Sequence, residues 1–192
     1  WQHSTPPARN RISTPTYDDE GVAAYFQGRS WQGHDVESLR YHSVGLSFFT
    51  AEAFCYYLPA YMLAVLADVQ AADVIYDGIL FHLSPRQLGR TWADSYRARI
   101  AGFSDDQKQA IAAYLAWCRA RYDDPTSQTE NDEIGETIAY LLHGAAPIAS
   151  SSTQRLLQLG GADGRAPQQV DRLRLSCTAV TDADLAGLAE FT

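Results

Sequence analysis

Apolar residues return every third or fourth position in four stretches of this chain, the spacing that turns one face of an α-helix toward a core. In the first stretch Phe54, Leu58, Tyr61, Met62, Val65 and Val69 keep that spacing, Thr50 stands where an N-cap belongs, and Glu52 lies in the first turn. The face runs across Pro59, which predicts either a kinked helix or two abutting helices with Pro59 at the first position of the second. The second stretch, 84–101, offers Ser84 as N-cap and Pro85 at the first helical position. Its stripe is Leu88, Trp92, Tyr96 and Ile100, and Arg86, Arg90, Arg97 and Arg99 fall mostly outside it. In the third, Ser104 and Gln107 form a capping box, Ile111, Tyr114, Leu115, Cys118 and Tyr122 form the stripe, and Asp123, Asp124 and Pro125 stop the helix. The fourth, about 131–143, puts Ile134, Ile138, Leu141 and Leu142 on one side, with Gly144 as terminator.

Weaker signals surround these helices. Asp18, Asp19 and Glu20 open a short helix that reaches Gln27 and ends at Gly28. Residues 31–49 read as mixed loop and short helix whose aromatic residues dock under the helix that begins after Thr50. Residues 1–16 hold three prolines, no acid and almost no apolar residue after Trp1, so burial cannot offset the entropy of ordering them, and a flexible leader is expected. After Pro147 the composition turns to Ser, Gly, Gln and Ala, which predicts a linker over 146–169. The expected organisation is leader 1–16, helical domain 17–145, linker 146–169 and a terminal element 170–192. The fold class is mainly α, a multi-helix domain with a short C-terminal strand-helix element.

That terminal element resembles a bacterial leucine-rich repeat. VDRLRLSCTAV places Val170, Leu173 and Leu175 as strand residues, Thr178 at the ladder position and Val180 as the closing apolar residue, and TDADLAGLAEF supplies a return helix. One repeat cannot bury its own apolar face. The resemblance therefore implies either a truncated first repeat of a solenoid or a unit packed on the helical domain. From about 27 to 122, GRSW, LSFFTAEAFCYYLPAYMLA and FSDDQKQAIAAYLAW resemble a small bacterial family of unknown function marked by a YYLPAY helix, which implies domain limits and supplies no activity to carry over.

Composition narrows the functional classes. The 192 residues are 46% hydrophobic with a formal charge of −8, which suits a globular domain large enough to need neither disulfide nor structural metal. Cys55, Cys118 and Cys177 are odd in number and far apart, as expected of free thiols in a reducing, cytoplasmic compartment. Fourteen arginines against the single Lys108 fit a GC-rich bacterial genome. The longest apolar run, 54–67, is broken by Pro59 and is shorter than the ~20 residues a membrane span needs. Neither membrane nor nucleic acid is expected as a partner, the four arginines of 84–99 reading as a solvated helix face paired with local acids.

No phosphate loop, nucleophile elbow, Cys-x-x-Cys or HExxH motif is present, and no two of the five histidines share a helical spacing. No cofactor or metal is expected. The acids Asp123, Asp124, Glu130, Asp132, Glu133 and Glu136, with no base among them, are candidates for a surface that steers a basic protein partner. Trp31, Tyr56, Tyr57 and Tyr61 are candidates for an aromatic binding groove. The leading expectation is a non-catalytic protein-interaction module, concretely an immunity-type inhibitor of a basic bacterial toxin. Two alternatives stand beside it. One is a small hydrolase or metal-dependent enzyme that assembles His34, His42 and Glu52, with Asp35 nearby. The other is the N-terminal cap of a longer leucine-rich-repeat protein.

Overall fold

The central element is a helix that contains a proline. In the computed structural model, which describes residue 1 and residues 4–14, 21–121 and 128–144, helix α4 (Ala51–Ala67) runs unbroken through Pro59. Thr50 caps it by accepting from the Ala53 N–H at 3.2 Å. Phe54, Leu58, Tyr61, Met62 and Val65 are buried as their spacing predicts. A proline has no N–H, so the carbonyl four residues earlier, that of Cys55, receives no helical hydrogen bond. The indole N–H of Trp1 fills that place, donating to the Cys55 carbonyl at 2.6 Å.

The other α-helices of the described residues are α1 (Val22–Phe26), α2 (Val36–Tyr41), α3 (Gly45–Phe48), α5 (Val69–Ala72), α6 (Val74–Leu83), α7 (Ala93–Ala101), α8 (Asp105–Arg121) and α9 (Gln128–His143). Helices α2, α5, α6 and α7 pack directly on α4, and α8 packs on α9. Asp35 caps α2 by accepting from the Ser38 N–H at 2.7 Å. The Ser104–Gln107 capping box closes reciprocally at 2.9 and 3.2 Å ahead of α8. Gly28 and Gly144 end their helices at φ +69° and +67°, where a side chain would be strained. Among the described residues no helix is long and apolar enough to cross a membrane.

Several expectations need correction. The segment read as a flexible leader is docked over 4–14: Ile12 is fully buried, Ser13 forms an antiparallel bridge with Phe49, and Thr50 N–H donates to the Ile12 carbonyl at 3.0 Å. One fully buried apolar residue, Ile12, and edge-like backbone bonds hold it, neither of which produces a periodic signal. The stretch 84–101 is not one helix. Ser84 and Pro85 open a 3-10 segment, Pro85–Gly89, and the chain breaks before α7. Trp92 thereby leaves the stripe and is 48% exposed, whereas Tyr96 and Ile100 stay buried. Arg99, expected on a solvated face, is only 7% exposed. On α9, Ile134, Ile138 and Leu141 are buried but Leu142 is 42% exposed. Helix α6 was not expected at all, although Ile75, Ile79 and Leu83 form its buried stripe. Tyr122, the linker and the leucine-rich-repeat-like element 170–192 lie outside the described residues.

Candidate functional site

The residues expected to line an aromatic groove are core residues. Tyr57 and Tyr61 are fully buried and Trp31 and Tyr56 are 6% exposed. Each buried phenol that is hydrogen-bonded here serves the backbone: Tyr57 donates to the Phe26 carbonyl at 2.8 Å and Tyr61 to the His42 carbonyl at 2.7 Å. The Trp31 indole donates to the Trp1 carbonyl at 3.3 Å. Tyrosines on this helix seal loops onto it, because a buried hydroxyl needs a partner and the carbonyls of the 26–42 region supply them. Burial pushes the Tyr57 and Tyr61 hydroxyls well above their ordinary range, so they stay protonated donors.

His34 and His42 both contact the same residue, Tyr25. Tyr25 stacks on His42 at 4.2 Å between centroids, and its hydroxyl meets His34 Nδ1 at 3.0 Å. His34 Nε2 donates to the Ser30 carbonyl at 2.8 Å, which fixes Nδ1 as the acceptor. Burial first, and then the charge of Arg29, holds His42 below its ordinary value; burial does the same for His34, with Arg29 adding and the Ser30 carbonyl opposing. Glu52 does not join them, since it pairs with Arg11. Among the described residues no group of three His, Cys, Asp or Glu side chains is placed to hold a metal ion. The hydrolase or metal arrangement expected from His34, His42 and Glu52 is thus not assembled.

Two of the acids expected to form a docking surface are engaged inside the domain. Arg86 reaches from the 3-10 segment to Glu133 and Glu136 on α9, each at 2.9 Å. Asp123 and Asp124 lie outside the described residues, as do the side chains of Glu130 and Asp132.

A cluster of polar side chains lies elsewhere, in a cavity of about 290 Å³ between α3, α6, the 3-10 segment and α7. Phe81 and Trp92, 44% and 48% exposed, belong to its lining. Arg99, His82 and Ser47 form its polar wall, joined by Gln87, Ser95 and Tyr96. Arg99 holds α3 to α7: its guanidinium donates to the Ser47 and Phe49 carbonyls at 3.2 and 3.1 Å and lies 4.7 Å over the Phe54 ring. These carbonyls at the C-terminal end of α3 have no helical donor of their own. The buried cation therefore replaces missing backbone bonds.

The same guanidinium meets His82 Nδ1 at 3.0 Å. Arginine has only donors, so Nδ1 must be the acceptor and the ring proton resides on Nε2. His82 Nε2 lies 3.1 Å from Ser47 Oγ and donates to it. This order is the reverse of a nucleophile dyad, in which the imidazole accepts from the serine. Burial, reinforced by the Arg99 charge, lowers His82 to about 3, which keeps it neutral. Burial likewise lowers Arg99 to about 10, still protonated at neutral pH. The Trp92 indole is steered by the same neighbourhood, donating to Gln87 Oε1 at 2.7 Å while Gln87 donates to the Phe81 carbonyl at 3.0 Å. None of these residues was singled out from the sequence as a site. The available signal was Arg99 three positions after Tyr96, on the buried side of α7.

A model of the family described as of unknown function, DUF6714, matches residues 13–140, which is 128 of the 192 residues, and the chain belongs to that family. No curated protein and no solved structure matches it.

Proposed function

We propose that this DUF6714 member is a non-catalytic protein-interaction module that grips its partner at the mouth of the α6–α7 cavity. The observation that carries this reading is the pairing of exposed Phe81 and Trp92 beside a concave, polar-walled cavity. Large aromatic side chains held in place by their neighbours are the typical anchors of protein interfaces. At about 290 Å³ the cavity sits at the lower end of the range for small-molecule pockets, a size that suits one inserted residue. The fixed His82 tautomer supports binding over hydrolysis, because Ser47 is given a donor where a nucleophile needs a base.

The more specific version, an immunity-type inhibitor of a basic toxin, rests on Asp123, Asp124, Glu130 and Asp132, since Glu133 and Glu136 already neutralise Arg86. The leucine-rich-repeat-like segment 170–192 would add a second contact surface on the same partner. The test is calorimetric titration of the full chain with purified products of neighbouring genes. A Phe81→Ala/Trp92→Ala double variant should weaken binding by about thirtyfold or more, the loss of a hot spot. Tyr41→Ala, at an exposed aromatic residue absent from the cavity lining, should leave it unchanged. Binding that ignores both changes, or an ester or peptide hydrolysis that disappears in Ser47→Ala, overturns the proposal.

A further inference from the structure

Resting on that reading, we infer that the group entering the cavity is a carboxylate carried on an apolar body, bound by the hydroxyl of Ser47 within the field of Arg99. The direction of the hydrogen bonds leads to it. Arg99 donates to His82 Nδ1, which places the ring proton on Nε2, and Nε2 donates to Ser47 Oγ. Ser47 then retains its own hydroxyl proton, and no acceptor for it exists among the described residues. A chain of donors that starts at a buried cation and ends at a hydroxyl in a cavity wall asks for an acceptor, and polarisation along the chain strengthens the last donor.

Charge points the same way. Arg99 is 7% exposed and bonds only to neutral acceptors, with its Nε–H unpaired among the described residues. Buried guanidinium groups ordinarily have an anionic partner. Arg99 forms no ion pair among the described residues, where Asp94 pairs with Arg97, and Glu133 and Glu136 pair with Arg86. Phe81 and Trp92 supply the apolar half of the site, which favours a carboxylate on an aromatic or aliphatic residue over a bare phosphate. Such a carboxylate is available from the C-terminus of a protein chain or from a free aromatic acid.

Four probes separate these sources: an N-acetylated dipeptide ending in phenylalanine with a free carboxylate, its amide, phenylacetate, and inorganic phosphate. Each is titrated into the full chain while tryptophan fluorescence and heat are followed. The free-acid peptide should bind at least about tenfold more tightly than its amide, and Ser47→Ala should remove most of that preference. Ser47 is exposed and its backbone carbonyl remains to hold Arg99, so this variant keeps the fold, which circular dichroism melting checks. Phenylacetate binding as well as the peptide supports a free acid as the source, and preference for the peptide supports a chain terminus. Equal affinity for acid and amide, phosphate preferred over both carboxylates, or no binding by any probe overturns the inference. Should the carboxylate fail while Phe81→Ala/Trp92→Ala still abolishes partner binding, the interaction face stands without its anion. Carboxylate binding with partner affinity indifferent to those two residues sinks the interaction reading instead.

Discussion

Replacing Trp1 with phenylalanine should destabilise the domain through a carbonyl that lies far away in sequence. Pro59 leaves the Cys55 carbonyl without a helical donor, and the Trp1 indole N–H supplies one at 2.6 Å. Phenylalanine keeps a ring able to reproduce the edge-on contact with Phe103, at 6.3 Å between centroids, but has no N–H. The Trp31 bond to the Trp1 carbonyl is a backbone contact and survives. What is lost is one hydrogen bond to a partly buried acceptor, and leaving such an acceptor unpaired costs ~1–3 kcal/mol. For a domain of this size that corresponds to a fall of roughly 2–4 °C in melting temperature per kcal/mol. The decisive measurement is a double-mutant cycle with Pro59→Ala, each variant unfolded in urea. Alanine at 59 restores an N–H four residues after Cys55, so Trp1→Phe should become nearly harmless in that background, with a coupling of ~1–2 kcal/mol. Equal cost of Trp1→Phe with proline or alanine at 59 would refute the reasoning.

Two further perturbations probe the core and the cavity wall. Gly45→Ala should be destabilising by ~1–3 kcal/mol despite the better helix propensity of alanine, because the new Cβ would lie 2.9 Å from the Tyr61 hydroxyl and 3.2 Å from Phe49 Cζ, displacing the bond from Tyr61 to His42; a stabilised variant in urea unfolding contradicts this. His82 should make the domain acid-sensitive. Its folded value, about 3, lies below the ordinary 6.5, so between these pH values the unfolded chain binds the extra proton and stability falls as pH falls. The slope from this one residue reaches at most ~1.4 kcal/mol per pH unit, with His34 and His42 acting in the same direction. His82→Asn, whose amide oxygen can still accept from Arg99, should flatten the dependence between pH 6.5 and 4.5; an unchanged slope rules His82 out as its source.

How much of this molecule was legible in the sequence depended on whether a signal was local or periodic. Caps and terminators were readable because each is a local match between one side chain and one backbone group, as at Thr50, Ser104 with Gln107, Gly28 and Gly144. The long stripes of α4 and α8 were readable for the same reason at larger scale. The docking of residues 4–14 was not, because Ile12 and the bridge between Ser13 and Phe49 are single non-local events. Helix α6 was obscured by apolar residues on its outer side: Val74 and Phe81 are 47% and 44% exposed, so the contrast between faces is dulled.

Four departures from pattern fall in one place. Phe81 is apolar and exposed on α6, Trp92 is apolar and exposed where the 84–101 stripe breaks, and Arg99 is charged and buried on α7. His82, one position after Phe81, is a titratable group driven to neutrality by burial and by Arg99. All four line the same cavity. Leu142, Val74 and Tyr41 are exposed singly elsewhere, but local violations that converge on one place are the expected mark of a functional site, since each is disfavoured by the rules that most of the domain obeys. An isolated exposed tryptophan needs no explanation. Exposed Trp92 and Phe81 beside a buried arginine that forms no ion pair among the described residues do, and the proposed partner, by covering the aromatics and answering the charge, would remove all three anomalies at once.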